Sequence, residues 1–230
     1  DNLKPGNYII AITKPTGYYY SPFNVGNDAS DSDIDATGYT ACEALESGES
    51  NLTYDVGLYK KAEIGDRVWI DKNGDGIQNS GENGITNVEV RLETCAGVLL
   101  NTTYTNSTGN YLFTNLDPSD YRIKFILPAT YNFTKKDNTS DNNDSDADQI
   151  TGITSCEALT SGESNLTYDA GIYQYCSIGD KVWLDSNGNG VQDAGEAGFA
   201  NVTVILQDCN GNTINSQITN INGNYLFTNL

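Results

Sequence analysis

The sequence predicts an all-β protein made of tandem β-sandwich domains, and three observations support this prediction. Two nearly identical segments begin around Cys42 and Cys156, 114 residues apart, and this interval is the size of a whole domain. Short segments rich in Val, Ile, Tyr and Thr alternate with clusters of Gly, Asn, Asp and Pro, as strands alternate with turns. No window of the sequence carries the helical period of apolar residues.

The repeat divides the chain into three parts. We expect one complete copy, the central repeat, at residues 62–173. The first segment, residues 1–61, is the C-terminal part of an earlier copy, and the last segment, residues 174–230, is the N-terminal part of a later one. Because the chain starts within a motif, we expect it to be an excerpt or a processed form of a longer protein. Strands of the central repeat are expected at Asp66–Ile70, Val88–Leu92, Tyr111–Phe113, Tyr121–Ile126 and Leu166–Tyr173.

The charge of the chain narrows the classes of partner. Twelve Lys and Arg residues against 31 Asp and Glu residues give a net charge of −19. Nucleic acid and anionic membrane surfaces attract clustered Lys and Arg, so this composition disfavours both. Metal cations are the natural counter-charge, although solubility alone would also explain the excess of carboxylates. The chain contains no His, the commonest general base, and no apolar run of the ~18–20 residues that a membrane helix needs.

The most specific motif is a loop of twelve residues, Asp71–Glu82, that satisfies the calcium-loop pattern D-x-D/N-x-D/N-G-x5-E. Ca²⁺ takes about six to eight oxygen ligands, and alternate positions of a tightly coiled loop can point inward. Gly76 permits the sharp turn that this coiling needs. The predicted ligands are the side chains of Asp71, Asn73, Asp75 and Glu82, the backbone carbonyl of Ile77, and Asn79 directly or through water.

The loop recurs one period later with a compensating exchange of charge. Its third ligand is the neutral Asn189, and its ninth position gains the charged Asp193. A solvated polar turn is the alternative interpretation, because Asn, Asp and Gly favour turns by themselves. Strands are expected on both sides of each loop, which favours a structural ion over a calcium switch. The predicted ligands of this second loop are Asp185, Asn187, Asn189, Val191, Asp193 and Glu196.

A second acidic stretch occurs in the central repeat and in the first segment. Asp144, Asp146 and Asp148 alternate with small residues, so an extended backbone would place their carboxylates on one side. Such a cluster repels itself unless a cation lies within it, and we predict a metal site here; a disordered acidic loop is the alternative. The first segment carries the equivalent residues Asp31, Asp33 and Asp35.

Taken in order, these motifs resemble the SdrD B-like repeat. The resemblance is carried by IGDRVWIDKNGDGIQNSGENGITNVEVRL, GNYLFTNLDPSDYRI, DNNDSDADQITG and LTYDAGIY, and the partial copies extend it over essentially the whole chain. It implies an Ig-like sandwich of the Cna B type, with EF-hand-like calcium loops that no helices flank. It also implies a spacer or filament role in an extracellular bacterial surface protein. By the same resemblance, Asp66 and its counterpart Asp180, in the GDRVW and GDKVW motifs, join the calcium ligands.

The cysteines are a departure from the family pattern. Cys95 and Cys156 both fall in the central repeat, where a disulfide between them is expected; small buried thiols are the alternative. Their counterparts Cys209 and Cys42 lie in different segments and could pair with each other across adjoining chains. Cys176 has no counterpart, because position 62 is alanine.

The leading hypothesis for the function is mechanical. We expect calcium-stabilised repeats that form a stiff extracellular stalk or filament, with neighbouring copies in tandem or head to tail as partners. An adhesin or carbohydrate-binding module that uses Tyr18–Tyr20 is the alternative. No nucleophile–base constellation appears, so an enzyme is not expected. Eight Asn-x-Ser/Thr sequons are candidate sites for N-glycans on a secreted surface.

Overall fold

The computed structural model describes residues 3–230, and these residues form strands, turns and loops without a helix. The chain divides into two compact units, one that ends at Tyr173 and one that spans Gln174–Leu230. The predicted all-β class is therefore confirmed. Residues 3–230 contain no helix that is long and apolar enough to cross a membrane.

The strands are short and follow the turn signals of the sequence. The first segment contains β1 (Gly6–Tyr8), β2 (Tyr19–Tyr20), β3 (Glu43–Leu45) and β4 (Leu58–Tyr59). The central repeat contains β5 (Ala62–Ile70), β6 (Glu89–Thr94), β7 (Leu99–Tyr104), β8 (Asn110–Leu116), β9 (Ser119–Ile126), β10 (Asn132–Phe133), β11 (Glu157–Leu159), β12 (Ser164–Asn165) and β13 (Ala170–Tyr173). The last segment contains β14 (Ile178–Lys181), β15 (Thr203–Gln207), β16 (Thr213–Ile218) and β17 (Asn224–Phe227).

The central repeat is a sandwich of two sheets. One sheet has the order β10-β13-β5-β12, with β8 also paired to β5, and the other has the order β11-β9-β6-β7. β12 and β13 pair with β5 in parallel, whereas the other pairings are antiparallel. The rings of Tyr111 in the first sheet and Phe125 in the second meet edge to face, with centroids 5.6 Å apart. Both rings are buried in one hydrophobic core, as a sandwich requires.

Alternation along the strands explains which residues form this core. In β9, Tyr121, Ile123 and Phe125 are buried while the residues between them are partly exposed, the period of two expected for a sheet with one covered face. β7 escaped prediction because LLNTTY is largely exposed and carries no such alternation. The predicted strand Leu166–Tyr173 is shorter than expected. The Asn165 side chain accepts hydrogen bonds from the backbone N–H and hydroxyl of Thr167, and this turn separates β12 from β13.

A disulfide joins Cys95 to Cys156, with Cα atoms 5.7 Å apart, and confirms the predicted pairing. Cys95 follows β6 and Cys156 precedes β11, and β9 lies between those two strands in the sheet. The bond therefore ties strands that are not hydrogen-bonded to each other. Cys42, Cys176 and Cys209 are exposed free thiols.

The last segment repeats the first half of the sandwich in the same register. Ile178 pairs with Phe227 in the β14–β17 ladder, as Ile64 pairs with Phe113 in the β5–β8 ladder. Ile178 is 56% exposed, whereas Ile64 is completely buried. The strands β9 and β13, which help to enclose the core of the central repeat, have no counterpart within Gln174–Leu230.

Candidate metal centre

The loop Asp71–Glu82 starts where β5 ends and is anchored at its base. The Asp71 N–H donates to the Ile172 carbonyl of β13 at 2.9 Å, and the Ile70 N–H donates to Asn83 at 2.8 Å. Gly76 has a φ of 84°, and a Cβ there would lie 2.5 Å from the Lys135 carbonyl oxygen. The predicted sharp turn therefore needs glycine both for its backbone angle and for its space.

Carboxylates at both ends hold this loop closed. Asp71 Oδ1 accepts from the Gly74 N–H at 2.7 Å, and its Oδ2 accepts from the Gly76 N–H at 2.8 Å and the Thr134 hydroxyl at 2.5 Å. Glu82 accepts from the N–H of Lys72 at 2.8 Å and of Asn79 at 2.9 Å, one bond on each oxygen. The first and twelfth positions are thus turned into the loop, as a calcium loop requires.

Asp75 carries the charge in the middle of the loop. The amides of Asn73 and Asn79 both donate to its carboxylate, at 2.8 Å and 3.0 Å. The N–H of Ile77 also donates to it, and this bond, followed by those from Asn79 and Asn73, lowers the pKa of Asp75. Three predicted ligands therefore donate hydrogen bonds to one carboxylate that is ionised at neutral pH.

The second loop reproduces this arrangement with the charge moved to the ninth position. Asn187 and Asn189 donate to one oxygen of Asp193 at 2.8 Å and 2.7 Å and lower the pKa of that carboxyl group. At the ends, Asp185 accepts from the Gly190 N–H at 2.8 Å, and Glu196 accepts from the Ser186 N–H at 2.8 Å. Exchange of Asp and Asn between the fifth and ninth positions therefore preserves a single central carboxylate.

Two other predicted residues of the last segment lie in this loop and in β14. The side chain of Val191 is 57% exposed, and its N–H donates to Asn189 Oδ1 at 2.7 Å. Asp180 lies in β14 opposite Tyr225 and is exposed. Its counterpart Asp66 is half-buried in β5, so the same motif position has different surroundings in the two copies.

The acidic stretch of the central repeat packs against the first loop. The Ser145 N–H donates to the Gly76 carbonyl at 3.3 Å, and the Gln78 N–H donates to the Asn143 carbonyl at 2.7 Å. These contacts bring Asp144, only 2% exposed, opposite Ile77. The structure thus joins two motifs that lie some sixty residues apart into one acidic region.

Asp146 belongs to an acidic cluster with the buried Asp169 and the half-buried Asp66. The Asp169 N–H donates to Asp146 Oδ2 at 2.7 Å, and the Arg67 N–H donates to Asp169 Oδ1 at 3.1 Å. Burial, followed by the charges on Asp66 and Asp146, raises the pKa of Asp169 to about 9. Burial also raises the pKa of Asp146 to about 7 and that of Asp66 above its ordinary value.

The one cation next to this cluster in sequence does not neutralise it directly. The guanidinium of Arg67 donates to the backbone carbonyls of Thr108 at 3.1 Å and Glu82 at 3.2 Å. Three carboxylates of one region therefore share a poorly hydrated environment, and the charge of Arg67 only partly offsets the rise that burial causes in the pKa of Asp66 and Asp169.

Asp148 has a different role from its neighbours. Its Oδ1 accepts from the N–H groups of Ile150 and Thr151 and from the Thr151 hydroxyl, and these bonds lower the pKa of the carboxyl group. Asp35 does the same in the first segment with Thr37 and Tyr39. The three alternating carboxylates of this stretch thus contact different partners instead of sharing one.

The first segment contains a pair of aspartates that corresponds to Asp146 and Asp169, and it also has a carboxylate oxygen without a hydrogen-bond partner. Asp33 Oδ2 accepts from the Asp55 N–H at 2.6 Å, as Asp146 accepts from Asp169. Asp31 Oδ2 accepts from the Gly26 N–H at 2.7 Å, whereas its Oδ1 is buried without a hydrogen-bond partner. A buried carboxylate oxygen in this state is suited to a cation.

The donor chemistry of these residues fits Ca²⁺. They offer carboxylate, amide and carbonyl oxygens, the ligands that this ion prefers. Within residues 3–230, no three Asp, Glu or Cys side chains stand in a metal-binding arrangement, and N–H groups contact the carboxylates instead. Sequence reasoning missed Asp169 and its counterpart Asp55. Their recurrence in the LTYD segments, one period apart, was the available signal.

The comparisons with known proteins assign the chain to a family. The SdrD B-like domain model matches residues 1–58, 62–172 and 176–230. The chain belongs to the SdrD B-like family. It is 39% identical to serine-aspartate repeat-containing protein F of Staphylococcus epidermidis over 237 residues, which cover 100% of this chain and 14% of that protein. It is also 39% identical to serine-aspartate repeat-containing protein E of Staphylococcus aureus, covering 99% of this chain and 19% of that protein.

A third relative and two solved structures complete the comparison. The bone sialoprotein-binding protein of Staphylococcus aureus is 37% identical over 99% of this SdrD B-like chain and 19% of its own length. The Bacillus anthracis TIE protein has a TM-score of 0.41 at 14% identity, covering 99% of this chain and 35% of its own. GBS52, the minor pilin of Streptococcus agalactiae, has a TM-score of 0.36 at 11% identity, covering 75% and 84%.

Family membership indicates where the chain is located. This SdrD B-like chain spans less than a fifth of the staphylococcal relatives described above. Two of those relatives are named as serine-aspartate repeat-containing proteins. The predicted extracellular location, at the cell surface, is confirmed.

Proposed function

We propose that the chain is a calcium-stabilised structural repeat of a rigid extracellular stalk or filament. The observation that carries this proposal is the cluster of half-buried Asp66 with buried Asp146 and Asp169, none of which forms a salt bridge within the described residues. Burial of like charges costs stability unless an opposite charge is close. Such a cluster inside a secreted sandwich is best explained as a site that is completed by a divalent cation.

Calcium would be held at two kinds of place. In the loops, the candidate ligands remain those of Asp71–Glu82 and Asp185–Glu196, supported by the convergence of each loop on one central carboxylate. In the buried cluster, Asp169 joins the predicted ligands. When bound, Ca²⁺ neutralises the carboxylates and cross-links the segments that bear them, so its binding free energy adds to folding free energy.

The residues of the chain supply the rigid frame for this cross-linking. The start of the first loop is bonded to β13, and the acidic stretch around Asp144 is bonded to the middle of that loop. A cation here would join segments that are far apart in sequence. Neighbouring copies of the repeat, with the divisions 1–61, 62–173 and 174–230, are the proposed partners in the stalk.

The structure offers little support for the alternative of a carbohydrate-binding surface at Tyr18–Tyr20. The Tyr20 hydroxyl donates to the Ile12 carbonyl at 2.6 Å, and the Tyr19 ring lies 5.7 Å from the Tyr59 ring. The Lys60 ammonium covers the Tyr18 ring at 4.9 Å. These rings are therefore engaged within the chain.

Removal of calcium is expected to lower the melting temperature of the chain. A single site filled at about 100 times its Kd contributes ~2.7 kcal/mol, which corresponds to a shift of roughly ten degrees or more for a domain of this size. Differential scanning calorimetry in Ca²⁺ and in chelator measures the shift, with Mg²⁺ as the competing ion. Superimposable melting curves in Ca²⁺ and chelator would falsify the proposal.

The two loops can be tested separately with terbium, a luminescent substitute for calcium. Trp69 and Trp183 each lie two residues before the first ligand of a loop, so they are placed to sensitise terbium emission. Asp71→Ala is expected to abolish the emission excited through Trp69, and Asp185→Ala that excited through Trp183. Asp120→Asn, an exposed carboxylate of β9, is the matched control and should leave the emission unchanged. Equal emission from all variants would contradict loop binding.

A further inference from the structure

The first segment ends in a two-residue linker, Lys60–Lys61, that leads into the central repeat, and the backbone of this linker is bonded to that repeat. The Lys60 N–H donates to the Ser161 hydroxyl at 2.9 Å, and the Lys60 carbonyl accepts from the Gly162 N–H at 3.2 Å. A flexible connection between domains is usually exposed and makes few contacts. This linker is instead held against the turn between β11 and β12.

The side chains beside the linker converge on one carboxylate of the central repeat. Asp117, in the turn between β8 and β9, accepts hydrogen bonds from the Tyr59 hydroxyl and from Lys61 Nζ. The Tyr121 hydroxyl donates to the Asp117 carbonyl at 2.9 Å and fixes this turn. The bond from Lys61, followed by the bond from Tyr59, lowers the pKa of Asp117, so the carboxylate is charged at neutral pH.

Lysines and tyrosines continue the contact into the first segment. Lys61 Nζ lies 5.0 Å from the Tyr19 ring centroid and 5.6 Å from that of Tyr59. Lys14 Nζ lies 5.2 Å from the Tyr19 ring, and Lys60 Nζ lies 4.9 Å from the Tyr18 ring. These distances are within the range of cation–π attraction. A continuous set of contacts thus runs from β2 through the linker to the turn that holds Asp117.

The geometry points to an interface that fixes the orientation of one repeat on the next, formed by Tyr19, Tyr59 and Lys61 on one side and Asp117 on the other. The partner surface is the β8–β9 turn of the following copy of the repeat. This inference rests on the proposed stalk function and adds where its stiffness between repeats resides. None of these four residues is a candidate calcium ligand, so the two kinds of rigidity are separable.

Several contacts at this interface share the same two residues, Lys61 and Asp117, and together they contribute more than any one of them alone. Lys61 is partly exposed and Asp117 is exposed, and an isolated ion pair of this kind contributes little. Here the Lys61 ammonium also lies over two aromatic rings, and the Asp117 carboxylate also accepts a hydrogen bond from the Tyr59 hydroxyl. Loss of Asp117 or Lys61 therefore removes several contacts together.

Distance measurements by double electron–electron resonance test this interface. Spin labels are placed on Cys42 in the first segment and on Val98→Cys in the central repeat, with Cys176→Ser and Cys209→Ser in every sample. Cys42 and Val98 are exposed, and Val98 lies in the turn between β6 and β7. The test variants are Asp117→Ala, Lys61→Met and Tyr59→Phe. Glu89→Gln is the matched control, because it breaks the Arg91–Glu89 ion pair within the central repeat.

The labelled parent and the Glu89→Gln control are expected to give one narrow distance distribution. Asp117→Ala and Lys61→Met are expected to broaden it about twofold, as for domains that move independently. Tyr59→Phe retains the ring and removes one hydroxyl, so it remains informative even if another variant fails to fold, and it should broaden the distribution less. A parent as broad as the variants, or variants as narrow as the parent, would overturn the inference.

Calorimetry on the same samples separates this inference from the proposed function. The interface variants Asp117→Ala, Lys61→Met and Tyr59→Phe are expected to keep the calcium-dependent melting shift of the parent. Broadening without any calcium shift would support the interface and contradict the calcium proposal. A calcium shift without broadening would support calcium and contradict the interface.

Discussion

Replacement of both Cys95 and Cys156 by alanine is expected to lower the free energy of unfolding of the central repeat by about 4 kcal/mol. The disulfide spans a sequence separation of 61 residues, and in the chain-entropy description a loop of this length restricts the unfolded chain strongly. In the fold it ties the ends of β6 and β11 across the intervening β9. Denaturant unfolding of the double variant and the parent measures the difference.

Cys176→Ala serves as the control for the disulfide experiment. Cys176 is an exposed free thiol, and its substitution should change stability by no more than about 0.5 kcal/mol. Addition of a reductant should destabilise the parent and leave the double variant unaffected. A double variant as stable as the parent would show that the disulfide contributes nothing to the stability of the sandwich.

Asp169→Asn is expected to have opposite effects on stability with and without calcium. In chelator at neutral pH, Asp169 is ionised in the unfolded chain but must bind a proton on folding, because its pKa rises to about 9. Asparagine removes the cost of that proton uptake, so the chain should become more stable by about 1–4 kcal/mol. In Ca²⁺, the same substitution removes a proposed ligand and should reduce the calcium-dependent gain. Melting curves of both proteins in both conditions show whether the sign reverses.

The control for this reversal is again an exposed carboxylate. Asp120→Asn lies on the surface of β9 and should leave stability unchanged in either condition. If Asp169 were only a protonated hydrogen-bonding group, asparagine would replace it equally well in Ca²⁺ and in chelator. A stabilisation of equal size in both conditions would therefore rule out Asp169 as a ligand.

The buried cluster also predicts how the metal-free chain responds to pH. Burial and neighbouring charges raise the pKa of Asp169 from its ordinary value of 3.8 to about 9, so the folded chain binds a proton that the unfolded chain has lost. Stability in chelator should therefore be greatest near pH 4 as far as this group is concerned, and fall as the pH rises toward 9. Unfolding in chelator across this range measures the slope, and a slope of opposite sign would contradict it.

Much of the fold could be predicted because each motif occurs twice. The interval between copies defined the repeat, and the presence of both Cys95 and Cys156 in the one complete copy indicated the disulfide that the structure contains. The calcium ligands remain predictions, although the structure turns Asp71 and Glu82 into the first loop.

Features that depend on tertiary contacts could not be predicted from the sequence. Asp169 is predicted as part of a strand, and only the parallel pairing of β13 with β5 places it beside Arg67, whose N–H donates to its carboxylate. The linker interface likewise joins Lys60 to Ser161, residues about a hundred positions apart, and no local pattern encodes that meeting.

The parallel pairing of β5 with β13 has a mechanical consequence. The two strands begin and end the central repeat, with Val68 opposite Ala170 and Ile70 opposite Ile172. When a pulling force is applied to the two ends of the repeat, adjacent parallel strands are drawn past each other along their length. Their hydrogen bonds are then loaded together in shear and cannot open one at a time. A tether built from such repeats would resist the drag of flowing liquid better than one whose terminal strands peel apart.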